Sequence, residues 1–299
     1  MIVSVSRRTD IPAFYSGWFF KRLKEGYACA LNPFNRKQAF KIPLDAGSVD
    51  CFVFWTKDPE PMLRRLNELE DYHYYFQITL TAYGPDVETN LRPKKEILHT
   101  IKELSERIGK DRVIWRYDPV FLNERYNMEF HRLQFDSLAA ELAEYTEKCV
   151  FSFMDDYKKT KVNMRHLSPE KLDNAGIFGL AEAFAEVAAK RRIGLKACSE
   201  KADLSGLGIG KARCIDTSLI SSITGKELPF KKDPAQRYEC GCAKSVDLGA
   251  YDTCMHGCLY CYANCSPDKA RAYYERHDPN SPLLTGMLTG VEKIILRKE

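Results

Sequence analysis

From Ile2 to about Ile220 the chain alternates short β-rich runs with amphipathic helical segments, and few folds accept that alternation. The runs are IVSVSR from Ile2, ACALN from Ala28, DCFVFWT from Asp50, YYFQITLT from Tyr74, RVIWRYD from Arg112, KCVFSFM from Lys148, GLKACSE from Gly194 and CIDTSL from Cys214. Between most of them lie segments of helical period such as PMLRRLNELE, KKEILHTIKELSERIG, FDSLAAELAEYTEK and PEKLDNAGIFGLAEAFAEVAAKRR. Parallel strands need crossovers of this length, so the pattern predicts a (β/α)8 TIM-type barrel over residues 1–223. An open doubly wound sheet is the alternative. The runs at Ala28 and Cys214 carry the weakest strand signal.

Within the runs, alternate residues divide between a helix-facing and an inward face. Phe76, Ile78 and Leu80 suit the helix layer, leaving Gln77, Thr79 and Thr81 inward; Ile114, Arg116 and Asp118 share one face, as do Lys196, Cys198 and Glu200. Catalytic faces of parallel α/β folds lie at the C-terminal ends of the strands. There the sequence places Arg8, Asp10, Lys57, Thr81, Arg116, Asp118, Asp155 and Glu200. Charges of both signs in such a position must be paired or meet a ligand, and a small polar or anionic substrate suits them. Arg8, Lys57 and Arg116 would bind anionic groups, and Asp10, Asp118, Asp155 and Glu200 would bind amines or hydroxyls or move protons.

The charge balance, 45 Lys plus Arg against 41 Asp plus Glu, leaves a net +4 with both signs interleaved, which neither demands nor excludes nucleic acid. No apolar stretch approaches a membrane span, and arginines follow the first apolar run, the reverse of an export signal. The expectation is a cytoplasmic protein with no membrane partner. From about Thr224 the period is lost, so residues 224–299 read as an extension packed on the barrel.

That extension carries the densest chemistry. Of eleven cysteines, Cys29, Cys51, Cys149, Cys198 and Cys214 stand singly in apolar runs and read as small buried hydrophobes, whereas Cys240, Cys242, Cys254, Cys258, Cys261 and Cys265 crowd together. Cys254, Cys258 and Cys261 form C-x3-C-x2-C with Gly257 bending the chain between them. Clustered thiolates without an export signal point to metal chemistry. Zinc would use knuckles at Cys258/Cys261 and Cys240/Cys242; a 4Fe-4S cluster on the trio would leave one iron open or be closed by Cys242. His256, inside the trio, reads as a solvent-facing loop residue, and His277 as part of an ordered turn.

CMHGCLYCYAN resembles the cysteine motif of the radical S-adenosylmethionine (SAM) enzymes, and its YCYA continuation is similar to that of spore photoproduct lyase-like proteins. The resemblance implies a 4Fe-4S cluster on Cys254, Cys258 and Cys261 that binds and cleaves SAM, with Tyr260 near the adenine. Thr79 and Thr81 are placed beside the same cofactor by their inward face. An electron donor such as ferredoxin or flavodoxin is implied, and the photoproduct-lyase flavour raises nucleic acid as a substrate class that the charge does not support. In that superfamily the motif follows the first strand, whereas here it follows the last. SRRTDIPAFY, NPFN, VFWTKDP, WRYDP, LKACSE and CGC together resemble a bacterial family of undetermined function with radical-SAM-like C-terminal cysteines.

Overall fold

The computed structural model describes residues 1–155, 157–229 and 231–297. Its strands are β1 (Ile2–Val5), β2 (Tyr27–Asn32), β3 (Asn35–Pro43), β4 (Cys51–Thr56), β5 (Tyr74–Thr79), β6 (Val113–Val120), β7 (Lys148–Phe153), β8 (Gly194–Ala197), β9 (Gly210–Lys211), β10 (Val246–Asp247) and β11 (Lys293–Leu296). Eight of them form one sheet in the order β10-β1-β4-β5-β6-β7-β8-β9. Every pairing in it is parallel, so the fold is α/β.

The two faces follow the sequence alternation. Val3, Val5, Phe54, Phe76, Ile78, Trp115 and Phe151 pack under the helices. Ile2, Val53, Tyr75, Ile114 and Val150 face the other way, onto Cys214, Ile215, Ile220 and Cys242. The long helices Lys94–Ile108 and Asn174–Arg191 fall where the helical period predicts, and the helix Met128–Leu142 overlaps its predicted segment but starts and ends earlier in the chain. Asn127 and Asp173 cap the last two by accepting from Phe130 N and Gly176 N, which fixes where those helices start.

Two strands differ from expectation. The run at Ala28 does form β2, but it pairs antiparallel with β3 in a separate three-stranded sheet that β11 completes. Only ten residues separate its end from Pro43, too few for a parallel crossover, so a hairpin is the available solution. The run CIDTSL is no strand: Asp216 accepts from Ser218 N and caps a helix, Thr217–Thr224. The sheet's ends are instead the two-residue strands β9 and β10.

Residues beyond 224 are woven into the fold, since β10 pairs with β1 and β11 with β3. Tyr75 Oη in β5 donates to Cys214 O at 2.7 Å, bringing the chain that leaves β9 back across the middle of the sheet. Ala243 N donates to Ile215 O at 3.1 Å, linking that chain to the segment entering β10. No helix among the described residues is long and apolar enough to cross a membrane.

Candidate functional site

At the C-terminal ends of the parallel strands lies a cavity of about 590 Å³. Residues at or just past the ends of β1, β4, β5, β6, β7 and β8 line it, and so do all three cysteines of the C-x3-C-x2-C motif. Of the charged groups expected at this mouth, Arg8, Asp10, Lys57, Arg116, Asp118 and Asp155 line the cavity, together with Thr79 and Tyr260. Thr81 and Glu200 stand behind its wall: Thr81 Oγ1 donates to Glu88 at 2.8 Å, and the Glu200 carboxylate accepts from Phe153 N at 2.9 Å. Burial, with Asp155 and Asp118 adding repulsion, pushes the Glu200 carboxyl up to about 7 despite that hydrogen bond.

The cysteine segment is held over the strand ends by backbone contacts with the loop after β5. Leu259 N donates to Val87 O, Asn90 N donates to His256 O, and Asn90 Nδ2 donates to Met255 O at 2.9 Å. Gly257 has φ +67°, and a β-carbon there would meet Asn90 Nδ2 at 3.1 Å, so the bend between the first two cysteines needs glycine. On the other side Tyr15 Oη donates to Thr253 O at 2.6 Å, and Tyr262 Oη donates to Arg7 O at 2.8 Å. A motif that is last in sequence is thereby fixed beside the first strand.

Two buried charge assemblies underlie it. Asp10 caps the helix Ile11–Phe14 through Ala13 N, accepts from Lys57 N at 2.7 Å, and meets His256 Nε2 at 2.7 Å. His256 is therefore buried and paired, not solvent-facing, and its Nδ1 is a buried nitrogen without a hydrogen-bond partner. His277, by contrast, does sit in a turn, bonded to Leu284 O. The second assembly centres on Glu88, which takes Lys57 Nζ at 2.6 Å, Lys94 Nζ and Tyr260 Oη. Burial alone would raise this carboxyl, but the Lys57 and Lys94 ammoniums outweigh it and hold it at about 2.

Further along the wall, Arg116 forks onto Asp118, whose other oxygen accepts from Ser152 Oγ. Arg116 Nη1 also reaches Gln77 Oε1 at 3.3 Å and Cys214 Sγ at 2.8 Å, and its guanidinium lies over Trp55. Asp155 pairs with Arg237 at 2.5 Å on the more exposed rim. Arg8 lies over the Tyr251 ring, 5.1 Å from its centre, and donates to Gly249 O.

Burial pushes the thiols of Cys254, Cys258 and Cys261 up, Cys258 to about 12; proximity to one another adds to this for Cys254 and Cys258, while the Lys57 ammonium works against it for Cys258 and Cys261. Deprotonated, they would need a positive partner among them, which is what a thiolate-ligated metal centre supplies. This donor set fits an iron–sulfur cluster in its chemistry. Among the described residues no group of three or more His, Cys, Asp or Glu is gathered as a single metal ion would need. Cys242, expected as a fourth ligand to the trio, keeps other company: its sulfur accepts from Cys214 N at 3.3 Å and lies against the Cys214 and Cys240 thiols.

Several site residues escape the sequence reading. Glu88 lies in a loop whose burial no periodicity announces. Cys198 and Cys214, expected as inert core thiols, line the cavity, as do Arg7 and Asp247. Asp247 accepts from Ser4 Oγ, Arg7 N and Gly249 N, stitching β10 to β1.

Fold and site together define an α/β protein with a large parallel sheet and a cysteine-walled, charged cavity at its strand ends. The chain belongs to a family described as a domain of unknown function (DUF1848), which matches residues 2–263 and so includes both the strands and the three motif cysteines. Compared with curated proteins and with solved structures, the chain matches none.

Proposed function

We propose that the protein is a 4Fe-4S enzyme of radical-SAM-like chemistry, acting on a small polar or anionic substrate in the strand-end cavity. The observation that carries this reading is that Cys254, Cys258 and Cys261 line the same cavity as Arg8, Lys57, Arg116 and Asp118. A motif displaced to the end of the chain serves radical chemistry only if it folds back over the substrate pocket, and the presence of all three cysteines in the lining of the strand-end cavity supports that reading. We read the sheet as a (β/α)8-type barrel whose interior is filled by the segments around Cys214 and Cys242.

Cys254, Cys258 and Cys261 would hold the cluster, leaving it without a fourth thiolate because Cys242 is engaged with Cys214 and Cys240. Such a cluster supplies the electron that cleaves SAM to a 5′-deoxyadenosyl radical, drawn from a donor such as ferredoxin or flavodoxin. Tyr260 fixes the third ligand's loop through Glu88 and presents its ring beside the Lys57 ammonium, 5.4 Å from the ring centre. Thr79 offers a hydroxyl on the same wall. Among the described residues Arg8 has no carboxylate bonded to it and is a cation available to an anionic group, whereas Arg116 is already balanced by Asp118. Glu200, with its carboxyl near 7, is suited to hold or release a proton behind Phe153.

The test is anaerobic reconstitution followed by reduction with SAM present. Formation of 5′-deoxyadenosine that disappears in the Cys258→Ala variant is expected. A fully iron-loaded protein that never cleaves SAM, offered carboxylated and phosphorylated candidate substrates, would count for a closed or electron-relay cluster. Colourless protein carrying only zinc would count for a structural site.

A further inference from the structure

Four cysteines outside the motif line the same cavity, although they come from three separate stretches of chain. Cys198 follows β8, Cys214 follows β9, and Cys240 and Cys242 precede β10. The sulfurs of Cys198 and Cys214 are 3.5 Å apart. The Cys242 thiol lies within hydrogen-bonding reach of the thiols of Cys214 and Cys240, so the four form an unbroken series, Cys198–Cys214–Cys242–Cys240.

Small buried hydrophobes do not account for this. Isolated thiols scatter through a core as Cys29, Cys51 and Cys149 do here, each among apolar neighbours. These four line a cavity, and donors are directed at two of their sulfurs. Arg116 Nη1 donates to Cys214 Sγ at 2.8 Å, and Cys214 N donates to Cys242 Sγ at 3.3 Å. An arginine and a backbone N–H directed at sulfur are the contacts that stabilise metal-bound thiolates and tune their centre. The number of donors matches too, since an iron–sulfur cluster closed entirely by protein takes four cysteines.

The geometry points to a second metal centre, held by Cys198, Cys214, Cys240 and Cys242, which line the same cavity as the C-x3-C-x2-C trio. Its ligand class is a closed iron–sulfur cluster, because the four are not gathered as a single metal ion would need, and Arg116 donates to one of its sulfurs. It stands on its own four ligands and does not require SAM chemistry at the trio. Closure of the sheet's open side follows from it, because the centre ties the chain after β8 and β9 to the chain entering β10.

The decisive variant is the full chain with Cys254, Cys258 and Cys261 all replaced by Ala, purified anaerobically and assayed for iron, sulfide and zinc. One further centre should remain, about four irons with matching sulfide per chain. Adding Cys214→Ala and Cys242→Ala should remove it. A triple variant with native far-UV circular dichroism that holds no iron and sulfide, both as isolated and after incubation with iron and sulfide, or that holds zinc alone, overturns the assignment. Alkylation of the unaltered chain, mapped by mass spectrometry, needs no variant: Cys198, Cys214, Cys240 and Cys242 should become markedly more reactive once a chelator strips the metal. Equal labelling with and without chelator, or a Cys198–Cys214 disulfide in place of metal, also overturns it.

Discussion

His256 Nε2 stands 2.7 Å from Asp10 Oδ2, and the pair ties the centre of the cysteine motif to the first turn of helix after β1. The same carboxylate oxygen accepts from Lys57 N, and its other oxygen caps the helix through Ala13 N. Replacing Asp10 with Ala removes the cap, worth about 1 kcal/mol, and leaves a buried N–H and a buried imidazole without their acceptor, at about 1–3 kcal/mol for each group. Asp10→Ala should therefore destabilise the fold by roughly 3 kcal/mol or more in urea denaturation. Asp10→Asn, which keeps one oxygen, should lose clearly less; equal losses would show that the retained oxygen contributes little.

Glu88 provides the second prediction. Its side chain is almost fully buried and is the shared anion for Lys57 and Lys94. Removing one partner of a buried ion pair typically costs about 3–5 kcal/mol because the remaining charge is stranded. Glu88→Gln should fall in that range by chemical denaturation. Lys57→Met added to Glu88→Gln should cost less than the sum of the single changes, because the stranded ammonium is then gone. Strict additivity would deny the coupling.

What the sequence shows and what it hides divides along physical lines. Period-two alternation located β1, β4, β5, β6, β7 and β8, and the faces it assigned in β5, β6 and β8 match the packing, because burial on both sides of a parallel sheet leaves a strong local pattern. The C-x3-C-x2-C trio was legible because its three members are close in sequence. Glu88, His256 and Cys198 were not legible as site residues, since each acquires its role from a partner distant in sequence: Lys57 is 31 residues from Glu88, Asp10 is 246 from His256, and Cys214 is 16 from Cys198. Strands of two residues such as β9 and β10 carry no period at all, so the sheet's ends could not be found by pattern.

His131 lies in the helix Met128–Leu142, with Nδ1 at 2.9 Å from Tyr117 Oη and Nε2 at 2.9 Å from Phe121 O. Burial lowers its imidazole from the ordinary 6.5 to about 4. Between those values the unfolded chain binds a proton that the native chain refuses, so stability falls as pH drops through this window and is unaffected by this group above it. At 1.36 kcal/mol per unit the loss between pH 7 and pH 4 is about 3 kcal/mol. Urea denaturation at both pH values should show a drop that His131→Phe reduces by about that amount. An unchanged drop in the variant would assign the acid sensitivity to other groups.

Gly249 carries the last prediction, and it links stability to the cavity. A β-carbon at this position would stand 2.1 Å from Ser6 Oγ and 2.6 Å from Ser6 Cβ, closer than any packed atoms tolerate. Ser6 cannot simply rotate away, because its hydroxyl donates to Asp247, the carboxylate that joins β10 to β1, and accepts from Arg8 N at 3.0 Å. Gly249→Ala should therefore destabilise the fold by about 1–3 kcal/mol, as overpacking does elsewhere. It should also shift the Gly249 carbonyl that receives Arg8 Nη1, weakening the hold on an anionic ligand. Ser6→Gly in the same chain removes both clashing atoms and should return part of the lost stability, even though it forfeits the bond to Asp247. Thermal denaturation of the single and double variants checks this directly: if Ser6→Gly makes the Gly249→Ala protein less stable still, close approach at Ser6 is not what requires glycine here.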